Sequence, residues 1–294
     1  MRMLSKLATV LTGISIALAE LPVNQLWAQQ NKTDAIPWGA MYVPVDVMKS
    51  YGMTGTFGYY RGTAGARKLL VDLETARRFK IRMIVTMGDV KPSVYADSQG
   101  RINMEIVKME LAPFVAIAEQ LKPFIEDGTI WGIRFMDEPH DPSGLPRGTV
   151  INAQDLGNVM AYLKKVFGKV RVGSTAPASY MVNVPDADWC FGQYCHSTMG
   201  RHGIKPVAYI EQDASLAKTK GMCYVASLNA STNPVDNKTL FEVYLAFAGL
   251  PDVDFLTSWQ WPRGKYHGSF EQRISDPSVK TLVEEIPRKC ERNR

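Results

Sequence analysis

Hydrophobic and polar positions along this chain follow two alternating patterns. Short, dense apolar runs bounded by turn residues are separated by longer stretches whose apolar positions recur every three to four residues. The first pattern suits strands buried on both faces, and the second suits amphipathic helices. Strand-like runs fall at Ile36–Val43, Gly55–Tyr60, Ile81–Met87, Ile130–Met136, Val170–Ser174, Asp188–Tyr194, Met222–Leu228 and Asp254–Trp259. Between them the spacing predicts helices near Val45–Tyr51, Ala66–Phe79, Met104–Ile125, Ala153–Phe167, Val207–Lys218 and Thr239–Ala248, and a last one at Val279–Arg288. Within Ala66–Phe79 the helical face is carried by Leu69, Leu70, Leu73 and Ala76.

Strict strand–helix alternation implies parallel strands joined by right-handed crossovers. Eight such strands predict an α/β fold, a single (β/α)8 TIM barrel. An open, doubly wound sheet also alternates, but usually has fewer strands and often opens on a glycine-rich phosphate loop. The glycine-rich stretch Gly52–Gly65 matches neither GxGxxG nor GxxxxGK[ST], so no cofactor is implied.

The N-terminus departs from this alternation. Arg2 and Lys6 precede an uncharged apolar run, Leu7–Ala19, that is short for a membrane span and suits a signal peptide. Ala17-Leu18-Ala19 is a small-x-small cleavage site, and a cut after Ala28 is a second option. The expected organisation is a signal peptide over 1–28, a barrel over 29–294, and a secreted or periplasmic product. A membrane-anchored N-terminal helix is the other reading. No later apolar run reaches spanning length, so no stable membrane span is expected after signal removal. The 294 residues, 46% hydrophobic, suffice for one barrel core. The net charge of +5 is scattered, with Arg77-Arg78 and Lys164-Lys165 on predicted helices, and argues for no nucleic-acid partner.

Four cysteines, Cys190, Cys195, Cys223 and Cys290, lack the paired CxxC spacing of a zinc site and read as buried thiols or one disulfide. Neither an HxH on the first strand nor an HExxH occurs, so no metal is expected, and no GxSxG elbow is present. Asn31-Lys32-Thr33, Asn229-Ala230-Ser231 and Asn237-Lys238-Thr239 match the glycosylation sequon, which matters only in a eukaryotic secretory host.

Barrel enzymes carry their sites at the C-terminal ends of the strands. Those ends are rich in polar and aromatic residues here. In strand order they are Trp38 and Tyr42; Tyr59, Tyr60 and Arg61; Asp89; Asp137, Glu138 and His140; Ser174 and Thr175; Gln193, Tyr194 and His196; Ser227 and Asn229; Trp259, Gln260, Trp261 and Arg263. Aromatic faces cover the apolar face of a pyranose and polar groups bond its hydroxyls, so the set points to a carbohydrate substrate. The competing reading puts the aromatics in the barrel interior, although such interiors favour Val, Ile and Leu.

Met136-Asp137-Glu138-Pro139 is the sharpest local signal. Here the chain resembles the barrel glycoside hydrolases, many of which carry a catalytic Glu before Pro at the end of the fourth strand. The resemblance implies that Glu138 is the general acid/base of an O-glycosyl hydrolase acting on a poly- or oligosaccharide. That role needs a carboxyl kept protonated near neutral pH, and an adjacent carboxylate such as Asp137 helps. The plainer alternative is a pair that caps a loop or binds an arginine. The commonest retaining members have Asn-Glu-Pro and a second Glu on the seventh strand. Asp137 replaces that Asn, and Met222–Asn229 carries no carboxylate.

Three resolutions stay open. The mechanism can be substrate-assisted, as in hexosaminidase-type enzymes with adjacent Asp-Glu. By that resemblance Asp137 would orient a 2-acetamido group, Glu138 would protonate, Tyr194 would bond the acetamido oxygen and Trp259 would wall the pocket. Asp89 can supply the second carboxylate. Or the chain is a non-catalytic carbohydrate-binding barrel protein of the cell envelope.

Overall fold

The computed structural model describes residues 35–230, 235–261 and 269–292. The expected signal peptide over 1–28, the sequon at Asn31, Ser231 of the second sequon and Arg263 lie outside the described residues. Among the described residues, seven continuous strands form one sheet: β1 (Gly55–Tyr60), β2 (Arg82–Met87), β3 (Ile130–Asp137), β4 (Val172–Thr175), β5 (Trp189–Tyr194), β6 (Cys223–Asn229) and β7 (Phe255–Trp259). Each pairs in parallel with the next in chain order.

The first of the eight expected strands is not continuous. Segment 36–43 touches the sheet at two isolated bridges, Trp38 to Leu256 of β7 and Met41 to Phe57 of β1. Gly39 N donates to Leu256 O at 3.1 Å and Met41 N to Ser258 O at 2.9 Å, while Tyr42 N donates to Phe57 O at 3.0 Å. The segment therefore lies between β7 and β1 and closes the barrel. Local geometry breaks its ladder. A Cβ on Gly39 would stand 2.1 Å from Gly55 O, and Tyr42 has left-handed φ of 67°.

Eleven α-helical segments are described: α1 (Val45–Met48), α2 (Gly62–Phe79), α3 (Pro92–Tyr95), α4 (Met104–Val115), α5 (Ala118–Glu126), α6 (Ala153–Phe167), α7 (Ala178–Met181), α8 (Pro206–Thr219), α9 (Asn237–Ala248), α10 (Phe270–Ile274) and α11 (Lys280–Arg292). The single helix expected over Met104–Ile125 is two. Pro113 and Pro123 each remove an internal hydrogen bond, and the chain breaks between them at Ala116-Ile117.

Strand alternation sorts the core into two layers. Met83, Val85, Cys190, Tyr194, Tyr224 and Leu228 face the helices, in the larger cluster. Met41, Phe57, Ile84, Trp131, Trp189, Phe191, Val225 and Phe255 fill the barrel interior. The interior is thus dominated by aromatics, not by the expected Val, Ile and Leu. Glycines make room for them: a Cβ on Gly173 would lie 2.3 Å from Trp189 O and 2.5 Å from its ring.

No disulfide links the four cysteines. Cys190 packs towards the helices and Cys223 against the interior cluster, so these neighbours on adjacent strands point to opposite faces. Among the described residues no helix is long and apolar enough to cross a membrane, and no group of residues is arranged to hold a metal ion.

Candidate active site

The end of β3 is a strained turn. Met136 and Glu138 both occupy the left-handed region, at φ 66° and 44°. Each costs a residue with a Cβ about 1 kcal/mol or more. Surrounding bonds hold the turn: Ser174 Oγ donates to Met136 O (2.9 Å), Asp137 N to Val90 O (2.8 Å) and Asp141 N to Glu138 O (2.9 Å). A regular strand sends consecutive side chains to opposite faces. Here Asp137 and Glu138 line the same cavity.

The two carboxyls have different surroundings. Asp137 Oδ1 accepts a short hydrogen bond from Thr175 Oγ1 and stands 3.6 Å from Arg134 Nη1. Arg134 is wholly buried. Its Nε donates to Thr86 Oγ1 (2.7 Å), its Nη2 to Tyr42 Oη (3.0 Å), and its guanidinium lies 5.6 Å from the centre of the Phe57 ring. The arginine contact weighed from the sequence thus belongs to Asp137. Glu138 opens to the cavity mouth, and among the described residues no side chain bonds its carboxyl. Protein atoms crowding it raise its pKa above the ordinary glutamate value, and the charges of Asp137 and Asp141 add to the rise. Burial depresses the pKa of His140, against the opposing pull of Asp141, Asp137 and Asp213. Its Nδ1 is buried and has no hydrogen-bond partner among the described residues.

The cavity is about 360 Å³ and opens at the C-terminal ends of the strands. Of the residues expected at the mouth, Asp137, Glu138, His140, Thr175, Gln193, Asn229 and Trp259 line it. Tyr42 stands beside it, its ring 5.8 Å from that of Trp259. The remaining candidates are held elsewhere. Asp89 is paired with Arg61 at 2.8 Å and accepts from Lys91 N at 2.9 Å, and neither Asp89 nor Arg61 lines the cavity. Tyr60 donates to Asp72 (2.8 Å) and Tyr194 to Ile204 O (2.7 Å). His196 packs edge-on against Tyr194 at 4.9 Å, and Trp261 against Tyr51 at 5.1 Å. Trp38 is buried in the layer under the helices.

For Tyr60 and Tyr194 the physical reason is strand parity. On β5, Trp189, Phe191 and Gln193 face inward, while Cys190 and Tyr194 face the helices. On β6 the same rule carries Asn229 to the cavity, at the strand end where the commonest retaining barrels have their second carboxylate. Among the described residues, Asp137 and Glu138 are the only carboxylates that line it.

Several participants were not singled out from the sequence. Arg134 was visible as a charge inside an apolar strand. Phe191 shares the parity of Gln193. Cys195, Thr198, Met199 and Tyr209 arrive from the loop after β5 and from α8, and nothing in their spacing signals the cavity.

Fold and site together define a TIM barrel with a carboxylate-bearing cavity at its C-terminal mouth. No family model matches the sequence, and no curated protein matches it. Solved structures do. The chain is similar to the endo-1,4-beta-mannanase of Rhizomucor miehei (12% identity, TM-score 0.61, covering 87% of this chain and 95% of that one). It is also similar to a glycoside hydrolase family 5 mannosidase of Rhizomucor miehei solved with mannosyl-fructose (11%, TM-score 0.60, 88% and 93% covered). A third likeness is to an exo-beta-1,4-mannosidase from Opitutaceae bacterium strain TAV5 (14%, TM-score 0.62, 88% and 60% covered). At these identities the likeness establishes the fold: this chain is a TIM barrel built like those glycoside hydrolases.

Proposed function

We propose that the chain is a glycoside hydrolase that cleaves O-glycosidic bonds of a poly- or oligosaccharide, with Glu138 as the general acid/base. One observation carries the reading. The Glu138 carboxyl has no side-chain partner among the described residues, has a raised pKa and faces a cavity that also holds Trp259, Gln193 and Asn229. A carboxyl whose pKa is raised keeps its proton to higher pH and can deliver it to the glycosidic oxygen as the bond to the anomeric carbon breaks. The aromatic wall covers a sugar face while the amides bond hydroxyls. Solved relatives of this fold that bear mannanase and mannosidase names support the reaction class.

With no carboxylate beyond the adjacent Asp137 and Glu138 among the described lining residues, the substrate-assisted route is the form we favour. A 2-acetamido oxygen then attacks the anomeric carbon, and Asp137, anchored by Thr175 and Arg134, orients the group. Tyr194 is committed to Ile204 O, so Tyr209 is the phenol available to that acetamido oxygen. The basic, apolar N-terminal segment supports a secreted or periplasmic product.

A glycan hydrolysis screen tests the reading. Glu138→Gln should cost about 10²–10⁴-fold in turnover while the fold is kept, and undiminished turnover sinks the assignment. Inhibition by a thiazoline analogue of an N-acetyl sugar supports the substrate-assisted form. Cleavage of substrates lacking the acetamido group, without such inhibition, removes it. Asn229 at the end of β6 favours a second reading, a barrel that binds sugar without cleaving it. Saturable glycan binding with no hydrolysis by the wild type would select it.

A further inference from the structure

We propose that Asp213 is a positioning residue that ties together three walls of the cavity. It lies on α8, one helical turn beyond Tyr209, which lines the cavity from the same helix face. Asp213 is buried, and its two carboxylate oxygens accept from Ala178 N at 3.1 and 3.2 Å. Ala178 is the first residue of α7, where a backbone N–H has no partner inside the helix. The chain leading into it supplies the second wall. Thr175 and Pro177 line the cavity, and Thr175 Oγ1 bonds both the Asp137 carboxylate and, at 3.4 Å, the Glu138 amide.

The third wall is β5. Gly192 sits between Phe191 and Gln193, which both line the cavity. A Cβ at Gly192 would lie 1.6 Å from Tyr224 Oη and 3.1 Å from Asp213 Oδ2, so the strand backbone packs directly on this pair. The Tyr224 hydroxyl is buried and faces the carboxylate without completing a well-formed hydrogen bond. A carboxylate accepting from a backbone amide makes a bond about twice as strong as a neutral one. One buried acidic side chain on α8 therefore sets where the Thr175–Ala178 loop stands relative to Tyr209 and Gln193. No step of the proposed hydrolysis uses it, and its role does not depend on which reaction the cavity performs.

Amide hydrogen exchange on the full-length chain tests this without any substrate. In the wild type, the Ala178 amide should be protected although it opens a four-residue helix. Asp213→Ala should speed exchange at Ala178 and Ser179 at least about 10-fold, the loss of a charge-assisted bond, while amides of β2 and β3 keep their protection. Asp213→Asn retains an oxygen acceptor and should restore most of the protection. Free exchange of Ala178 in the wild type overturns the proposal. So does uniform acceleration across the barrel, or full protection of Ala178 in the Ala variant. If Asp213→Ala does not fold, the wild-type protection and the Asn variant decide. Failure to find hydrolysis would count against the proposed reaction and leave these outcomes untouched.

Discussion

Arg134 and Asp137 are three residues apart on β3, and both turn into the barrel, 3.6 Å apart. In a regular strand, positions i and i+3 face opposite sides. The left-handed φ of Met136 and the register shift between Arg134 and Asp137 against β4 bring them to one side. The strained turn thus gives a wholly buried guanidinium its counter-charge and directs Glu138 to the mouth. Asp137→Asn leaves that guanidinium uncompensated and should destabilise the protein by roughly 3 kcal/mol, near the low end for breaking a buried pair because Asp137 is partly solvated. Urea denaturation measures this. The double variant Arg134→Met with Asp137→Asn should recover part of the loss, and strict additivity of the two single changes would contradict the coupling.

The raised pKa of Glu138 has a defined consequence for stability. Its folded pKa lies above its unfolded value, so its contribution is fully present below the unfolded pKa and is lost as pH rises through the folded pKa. Glu138→Gln removes that dependence. The variant should therefore gain stability relative to the wild type on going from acidic to neutral pH. Thermal midpoints of both proteins across pH 4 to 7 check the sign.

His140 titrates in the opposite sense. Burial lowers its folded pKa, so its contribution is present above the unfolded value, about 6.5 for a free histidine, and is lost as pH falls through the folded value. The ring proton resonances of His140, assigned by comparison with His140→Asn, should show a midpoint below that reference. A midpoint at or above it would contradict the burial described here.

Gln193 and Tyr194 are adjacent, and only Gln193 reaches the cavity. Gln193→Ala should weaken saccharide binding and change stability little. Tyr194→Phe removes a hydroxyl bonded to Ile204 O and should cost about 1 kcal/mol of stability with binding preserved. Calorimetric titration alongside denaturation separates the two. The reverse outcome would mean that the parity of β5 differs from the one described.

The spacing of apolar runs was sufficient for the barrel, because buried parallel strands and amphipathic helices impose distinct periods on a sequence. It was also sufficient for the end of β3, where a charged pair interrupts an apolar run. It did not reveal the break in segment 36–43, which follows from a close approach between Gly39 and Gly55 distant in sequence. Nor did it reveal the split of the helix expected over Met104–Ile125, although its prolines were in plain view.

Asp137 and Glu138 were legible as the centre of the site because their chemistry is local. The ring of residues around them was only half legible. Tyr60 and Tyr194 look like mouth aromatics in sequence, yet both face the helices, because a strand inverts the side-chain direction at every residue; Trp261, past the end of β7, packs against Tyr51 and Phe270 instead. Asp89 looks like a free carboxylate until Arg61 folds onto it. Arg134, Tyr209 and Asp213 acquire their relations to the site only when separate elements pack together. The sequence by itself determined the type of barrel and which strand end carries the carboxylates. The tertiary structure alone decided which neighbours face them, since facing depends on parity, strain and contacts between residues far apart in the chain.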